Sequence, residues 1–260
     1  MDFAAFKRAV GESFGLVLEG YKERQLKRRI DSLMQSLKVE DYRRYYTLLL
    51  SDPEQRRRFL DRITINVSEF FRNPEIFQIL ETEILPRLLA ANRRLRIWSA
   101  ACANGAEPYS LAILCAEQNP GGGHQIEATD IDEGALAAAR RGVYRKEVLQ
   151  HVSPARLARF FTEQDGNYEV REELRRVVSF RHHDLLKDPY GRNYDLIVCR
   201  NVAIYFTREI QEELYRRFFA ALRPGGVLFI GATETILQYQ QFGFEKIGTW
   251  FYRRPAGEKG

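Results

Sequence analysis

The sequence predicts an α/β protein: a mostly parallel sheet with helices on both faces, preceded by a small all-α N-terminal domain. Three observations predict it. From Leu95 to Arg253, strand-like and helix-like runs alternate, and such alternation is most economically a parallel sheet covered by helices. Residues 1 to about 62 carry only helix-period apolar patterning, with no strand pattern between. Finally, the apolar run Leu95 to Trp98 breaks into small residues and Gly105, then re-emerges as a helix with Pro108 in its first turn.

Taken in order, Phe3, Phe6, Val10 and Phe14 share one helix face, Leu26, Ile30, Leu33 and Leu37 a second, and Tyr42, Tyr45, Tyr46 and Leu49 a third. Gly15, Gly20 and Ser51-Asp52-Pro53 punctuate them. The domain boundaries expected are 1–65 for the helical domain, 66–92 for a linker and helix, and 93–260 for the sheet domain. The linker Ile63 to Pro74 is unusual in placing two adjacent phenylalanines beside Asn66, Ser68 and Arg72; a bland account makes Ser68 a helix cap. A helix from Phe77 to about Ala91 then leads to the first strand. The second strand, Ile126 to Asp130, ends in the acid that commonly accepts hydrogen bonds from a ribose, which suggests a nucleoside-cofactor site on a Rossmann-like sheet. With one glycine in the turn, the pattern alone fits an ordinary strand-helix connection equally well.

Glu133 to Arg141 reads as a short helix. Within 143–178 a small inserted subdomain is expected, with a helix at Ser153 to Phe161 and a strand near Tyr168 to Val170. Val177 to Asp184 and Tyr194 to Cys199 are the next sheet strands, and a helix from Arg208 to Leu222 follows. Arg223-Pro-Gly-Gly226 is expected as a turn into strand Val227 to Ile230, with Thr249 to Arg253 closing the sheet.

Composition narrows the function. No apolar run approaches the length of a membrane span and no signal-peptide core is present, so a cytoplasmic protein is expected. Cys102, Cys115 and Cys199 are widely spaced among apolar or small residues, the pattern of buried hydrophobes and not of a disulfide or zinc framework. The adjacent His182 and His183 point to opposite faces of a strand, which argues against a shared metal. Net charge is +5, and residues 1–65 hold 14 Lys/Arg against 10 Asp/Glu, concentrated in Lys22 to Arg29 and Arg56 to Arg58. That favours an acidic partner or a solvated helix face over nucleic acid, for which interleaved aromatics and binding motifs are lacking.

Asn66-Val-Ser-Glu-Phe-Phe-Arg72, Trp98-Ser-Ala-Ala-Cys102, Glu107-Pro-Tyr-Ser110, Ala128-Thr-Asp-Ile-Asp132, Cys199-Arg-Asn-Val-Ala-Ile-Tyr-Phe206 and Leu222-Arg-Pro-Gly-Gly226 follow one another in the order of a known family. In these stretches, over nearly the full length, the chain resembles the chemotaxis receptor glutamate methyltransferases, the CheR family. The resemblance implies a class I methyltransferase sheet whose last strand is antiparallel, S-adenosylmethionine as cofactor and S-adenosylhomocysteine as product. It further implies methyl esterification of glutamates on chemoreceptor cytoplasmic helices, with the enzyme expected as a monomer. It places Asn66, Ser68, Arg72, Glu107, Asp130, Arg200 and Asn201 around the cofactor, with Asp130 on the ribose, and sets Arg72 and Tyr205 beside the substrate as the catalytic pair. Three stretches depart from the family pattern. The usual Ser-Thr-Gly-Glu-Glu is Ala103-Asn104-Gly105-Ala106-Glu107, the Asn-Leu after the third strand is Asp184-Leu185 in the expected cofactor pocket, and a His-Ser-Glu is Ala232-Thr233-Glu234.

The implied chemistry suits these residues, because a glutamate carboxylate is already ionised and nucleophilic, so methyl transfer needs alignment and exclusion of water and no general base. Two other readings stay in view: a non-catalytic S-adenosylmethionine-binding sensor or adaptor, and a methyltransferase for a small molecule. Retention of Arg72 and Tyr205 favours an enzyme, and the basic helical domain favours a macromolecular substrate.

Overall fold

The structure, a computed structural model, describes residues 1–64 and 68–257. The chain divides into two compact units, Met1–Asn66 with Ile204–Glu212, and Val67–Ala203 with Glu213–Gly260.

Four helices build the first unit: α1 (Phe3–Phe14), α2 (Glu23–Ser36), α3 (Tyr42–Ser51) and α4 (Pro53–Thr64). Asp2 caps α1 by accepting the Ala5 N–H at 2.8 Å, and Gly15, at φ 71°, ends it in the left-handed conformation. Asp41 caps α3 through the amides of Arg43 and Arg44. The apolar faces meet in a core of Phe6, Val10, Leu26, Ile30, Tyr45, Leu49 and Phe59, all buried, each contributing roughly 1.5–3 kcal/mol of transfer free energy. Phe14, Leu33, Leu37 and Tyr46 pack at its rim.

Much of the basic clustering has work inside this unit. Arg56 donates to the carbonyls of Leu49 and Leu50 at the end of α3, Arg57 pairs with Glu54 and Asp61, and Lys27 pairs with Asp31 at 2.6 Å. Lys22, Arg24, Arg28 and Arg58 are the exposed cations of the two runs without such a role here. Residues 204–212 join the unit through Lys22 N–H to Tyr205 C=O (2.8 Å), Thr207 N–H to Gly20 C=O (2.9 Å) and an edge contact of Tyr21 with Phe206.

In the second unit α5 (Pro74–Ile79) and α6 (Leu85–Ala91) run together through a wider π-wound stretch at Leu80–Ile84. There follow β1 (Arg96–Ala100), α7 (Ala106–Gln118), β2 (Gln125–Asp130) and α8 (Glu133–Arg141). The insertion is β3 (Val143–Arg145), α9 (Pro154–Phe160), β4 (Phe161–Gln164), β5 (Asn167–Val170) and α10 (Glu172–Arg175). The sheet resumes with β6 (Val178–His182), β7 (Tyr194–Cys199), α11 (Arg208–Ala221, of which Arg208 to Glu212 belong to the first unit), β8 (Leu222–Ile230), β9 (Glu245–Gly248) and β10 (Phe251–Arg253). The main sheet has the order β6-β2-β1-β7-β8-β10-β9, parallel from β6 to β8 and antiparallel at β10 and β9. All six residues of β7 are buried, as a central parallel strand requires.

The sequence reading needs four corrections. Ser68 caps no helix; α5 begins at Pro74, after Asn73 in a left-handed conformation. The inserted subdomain is a three-stranded antiparallel sheet, β3-β5-β4, where one strand was expected. β3 is too short to show a period, and Thr162, Glu163 and Gln164 of β4 are all exposed, so alternation is missing. Arg223 to Gly226 is not a free turn but the irregular start of β8, where the register shifts between Tyr194 and Leu196. Gly226 is needed there because a Cβ would lie 2.7 Å from the Tyr194 carbonyl oxygen. Finally, Thr249 and Trp250 form the link between β9 and β10, and β9, half exposed, lacked an apolar run.

Candidate active site

β6, β2, β1 and β7 are neighbours in the sheet, and their carboxyl ends deliver the candidate residues to one edge. Strand order runs outward from β1 in opposite directions, toward β2 on one side and β7 on the other, which opens the crevice where α/β proteins bind ligands.

The loop after β1 is shaped by backbone strain. Ala101, Ala103 and Gly105 have φ of 67°, 47° and 87°, a region that costs non-glycine residues energy and must be held by its surroundings. Cys102 N–H holds it to the Thr129 carbonyl at 2.9 Å. Gly105 has no substitute, since a Cβ would meet Ala139 Cβ at 2.7 Å and Tyr144 Oη at 3.0 Å. Asn104, one of the departures from the family pattern, accepts from Ala106 N–H and donates to Ser68 C=O, each at 3.1 Å. It therefore closes the turn into α7 while tethering the linker.

Asp130 ends β2 almost fully buried. Oδ2 accepts the Ala103 amide at 2.8 Å and Oδ1 the Asp132 amide at 3.0 Å, which together aim the carboxylate. Burial pushes its carboxyl above the usual range, opposed by those two amides. Glu107, in the first turn of α7, accepts from Ser99 Oγ at 2.8 Å and lies 3.6 Å from Arg200 Nη1. Burial likewise raises Glu107 and lowers Arg200, each opposed by the other's charge.

Arg200 joins two parts of the site. Its Nη2 donates to the Arg72 carbonyl and to Asn73 Oδ1, both at 2.9 Å, and its guanidinium lies over the contacting rings of Phe77 and Phe229. The turn it grips is strained, with Phe71 at φ 52° and Asn73 at φ 61°. Ser110 Oγ secures the same turn by accepting the Phe71 amide at 3.0 Å. Asn201 is also left-handed (φ 62°), and its amide donates to Glu234 Oε2 at 3.0 Å.

At the end of β6, Asp184 Oδ1 accepts the Leu186 amide at 2.8 Å, while buried Oδ2 has no hydrogen-bond partner; Leu185 is buried beside it. Burial raises this carboxyl too. With its folded pKa above the unfolded value, its ionisation costs stability once pH rises past the folded value and costs nothing below the unfolded one. Asp184→Asn should therefore stabilise the chain at pH 7 to 8 by about 1 kcal/mol, the low end for an unsatisfied buried group, a gain that fades toward pH 4. Thermal melts of both forms across that range check it.

Of the residues singled out from sequence, Ser68, Arg72, Glu107, Asp130, Asp184, Leu185, Arg200 and Asn201 belong to the sheet unit, whereas Tyr205 belongs to the helical one. Asn66 lies outside the described residues. Sequence reasoning missed Ser99, Ser110 and Tyr144, which hold the site's backbone and carboxylates; nothing in their local pattern separates them from ordinary core residues. A cleft of about 320 Å³ beside the Phe71 turn, lined by Phe71, Phe77, Gln78, Thr82, His151 and the Arg156–Glu81 pair among others, includes neither Asp130 nor Glu107. It is separate from the crevice at the strand ends.

The donor set fits S-adenosylmethionine. Asp130 presents an oriented carboxylate suited to ribose hydroxyls, and the bare Asp184 oxygen suits an exocyclic amine.

A family model described as "CheR methyltransferase, SAM binding domain" matches residues 66–251, and one described as "CheR methyltransferase, all-alpha domain" matches residues 1–64. A chemotaxis protein methyltransferase of Listeria innocua is 42% identical over 253 residues, 96% of each chain. Chemotaxis protein methyltransferase 1 of Pseudomonas aeruginosa is 35% identical over 90% of each chain. The Escherichia coli chemotaxis protein methyltransferase is 34% identical over 89% of this chain and 83% of its own.

Proposed function

The chain belongs to the CheR methyltransferase family, and from that membership we propose that it methylates glutamate side chains of chemotaxis receptors, forming γ-methyl esters. The observation that carries the reading is Arg200, which binds the Glu107 carboxylate on the cofactor side and the Arg72 turn on the substrate side in one buried constellation. Bound S-adenosylmethionine supplies an electrophilic methyl on a positively charged sulfonium. Asp130 anchors the nucleoside, and Glu107, held by Ser99 and Arg200, lines the cofactor side. Asn66, by its resemblance to the family motif, and Ser68 would complete the cofactor's surroundings.

The incoming glutamate needs no activation, so the protein's task is to strip its water and aim one oxygen at the methyl. Arg72 and Tyr205 do this by hydrogen bonds to the carboxylate. A cysteine nucleophile is the wrong chemistry, since burial holds the Cys102 and Cys199 thiols far above their ordinary pKa, hence protonated. Arg72→Ala and Tyr205→Phe should each reduce single-turnover rates by ~10 to 1000-fold, the range for lost alignment. Rapid-quench assays at saturating cofactor measure this directly; wild-type rates in both would remove the pair from the mechanism.

The substrate surface is acidic and helical, and the exposed Lys22, Arg24 and Arg28 give the helical unit a complementary charge that speeds encounter. Among the described residues no helix is long and apolar enough to cross a membrane. The proposed setting is the cytoplasm, with a monomer acting on receptor cytoplasmic domains. Incubation with methyl-labelled cofactor and a receptor cytoplasmic fragment tests the reading. The label should be transferred and then released as methanol in base; a base-stable label would mean a different acceptor.

A further inference from the structure

We propose that Arg29, on α2, is a positioning residue that holds Tyr205 in its working orientation; this rests on Tyr205 acting at the substrate carboxylate as read above. The Arg29 guanidinium carbon sits 4.4 Å from the centroid of the Tyr205 ring, over its face. The same guanidinium is fixed by donating from Nη1 to the Ile63 carbonyl at 3.0 Å, one of the last carbonyls of α4. A planar cation pinned at its edge becomes a rigid plate, and an aromatic ring lying on it loses freedom to turn.

The backbone of Tyr205 is held from the same side. Its carbonyl accepts the Lys22 amide at 2.8 Å, Gly20 accepts the Thr207 amide at 2.9 Å, and Tyr21 and Phe206 form an antiparallel bridge. Main chain and ring of Tyr205 are thus both fixed by residues 20–29. Arg29 is half-buried and committed to these contacts, unlike its exposed neighbour Arg28. Its role therefore differs from that of a cation kept for an acidic partner. One guanidinium thus restrains both the end of α4 and the Tyr205 ring.

Turnover and binding separate the roles. Arg29→Ala should lower kcat for methylation of a receptor cytoplasmic fragment by ~10 to 100-fold, as lost alignment does, with the KM for S-adenosylmethionine unchanged. Arg29→Lys keeps the charge and a donor for Ile63 but not the flat plate, so it should fold like wild type in thermal melts and still turn over slowly. In a double-mutant cycle, Arg29→Ala should add little once Tyr205 is alanine. A Tyr205→Ala variant with wild-type turnover would overturn both this inference and the role of Tyr205. A slow Tyr205→Ala beside an Arg29→Ala of wild-type kcat, or effects that multiply in the double variant, would overturn the Arg29 inference alone. So would a raised receptor KM at unchanged kcat, which would make Arg29 a docking residue.

Discussion

Arg200→Leu should cost the protein about 3–5 kcal/mol of stability and at least ~100-fold in turnover, because it leaves the Glu107 carboxylate buried without its cation and frees the Arg72 turn. Two strained residues, Phe71 and Asn73, flank Arg72. Their conformation persists only while neighbours hold it, and Arg200 supplies two of the bonds that do so. Arg200→Lys should recover part of the stability and little of the rate, since an ammonium cannot reproduce the fork that reaches Glu107, Arg72 and Asn73 together. The pH dependence gives a signature. Glu107 is already raised by burial, with Arg200 opposing the shift; without Arg200 its folded pKa rises further. A carboxyl so shifted costs nothing below its unfolded value, about 4.3, and its full cost appears above the folded value. The stability deficit of Arg200→Leu should accordingly shrink as the solution is acidified. Melting curves and single-turnover rates measured together check both parts.

Asp130→Ala should weaken binding of S-adenosylmethionine and S-adenosylhomocysteine by ~1.5–3 kcal/mol, or roughly 10 to 150-fold, the worth of hydrogen bonds to a charged group. Both of its oxygens already accept backbone amides that aim them, so the carboxylate is oriented before the cofactor arrives. Because burial raises its carboxyl, wild-type affinity should fall on acidification as Asp130 takes up a proton, and the slope should be shallower in Asp130→Asn. Calorimetric titrations at several pH values check this. Unchanged affinity in Asp130→Ala would move the ribose elsewhere.

What the sequence disclosed followed from periodicity. β7 is buried throughout and apolar but for Asp195, and the helices of the first unit show clean 3.6-residue faces, so the sheet and the helical unit were both legible. The insertion was only partly so: β4 presents three exposed side chains in a row and β3 spans three residues, too few to display alternation. Yet Asp165-Gly166, with both φ positive, is an ordinary two-residue hairpin turn and was a usable signal.

At the site, Asp130 could be read from its place after an apolar strand. Arg200 and Tyr205 came only through family resemblance, because their roles depend on partners more than 100 residues away in the chain, Arg72 for one and Arg29 for the other. The basic clustering of the helical unit misled in part. Charge count alone cannot distinguish Arg56, which closes the end of α3, or Arg29, which stacks on Tyr205, from the exposed Arg28. The loss of Ser and Thr from the first loop was a reason to consider a non-catalytic binder. In the structure Asn104 accepts the Ala106 amide within that loop, so the altered sequence still builds a defined turn.

The proposed acceptor is a glutamate carboxylate. This assignment is tested most directly by fragmenting a receptor cytoplasmic domain after reaction with the protein and S-adenosylmethionine, and locating the added methyl groups by tandem mass spectrometry. Methyl groups are expected on glutamate side chains, absent when those glutamates are replaced by alanine and absent with Arg72→Ala on the reaction timescale. Methyl groups on lysine or another nucleophile, or no methylation by a protein that binds the cofactor tightly, would contradict it.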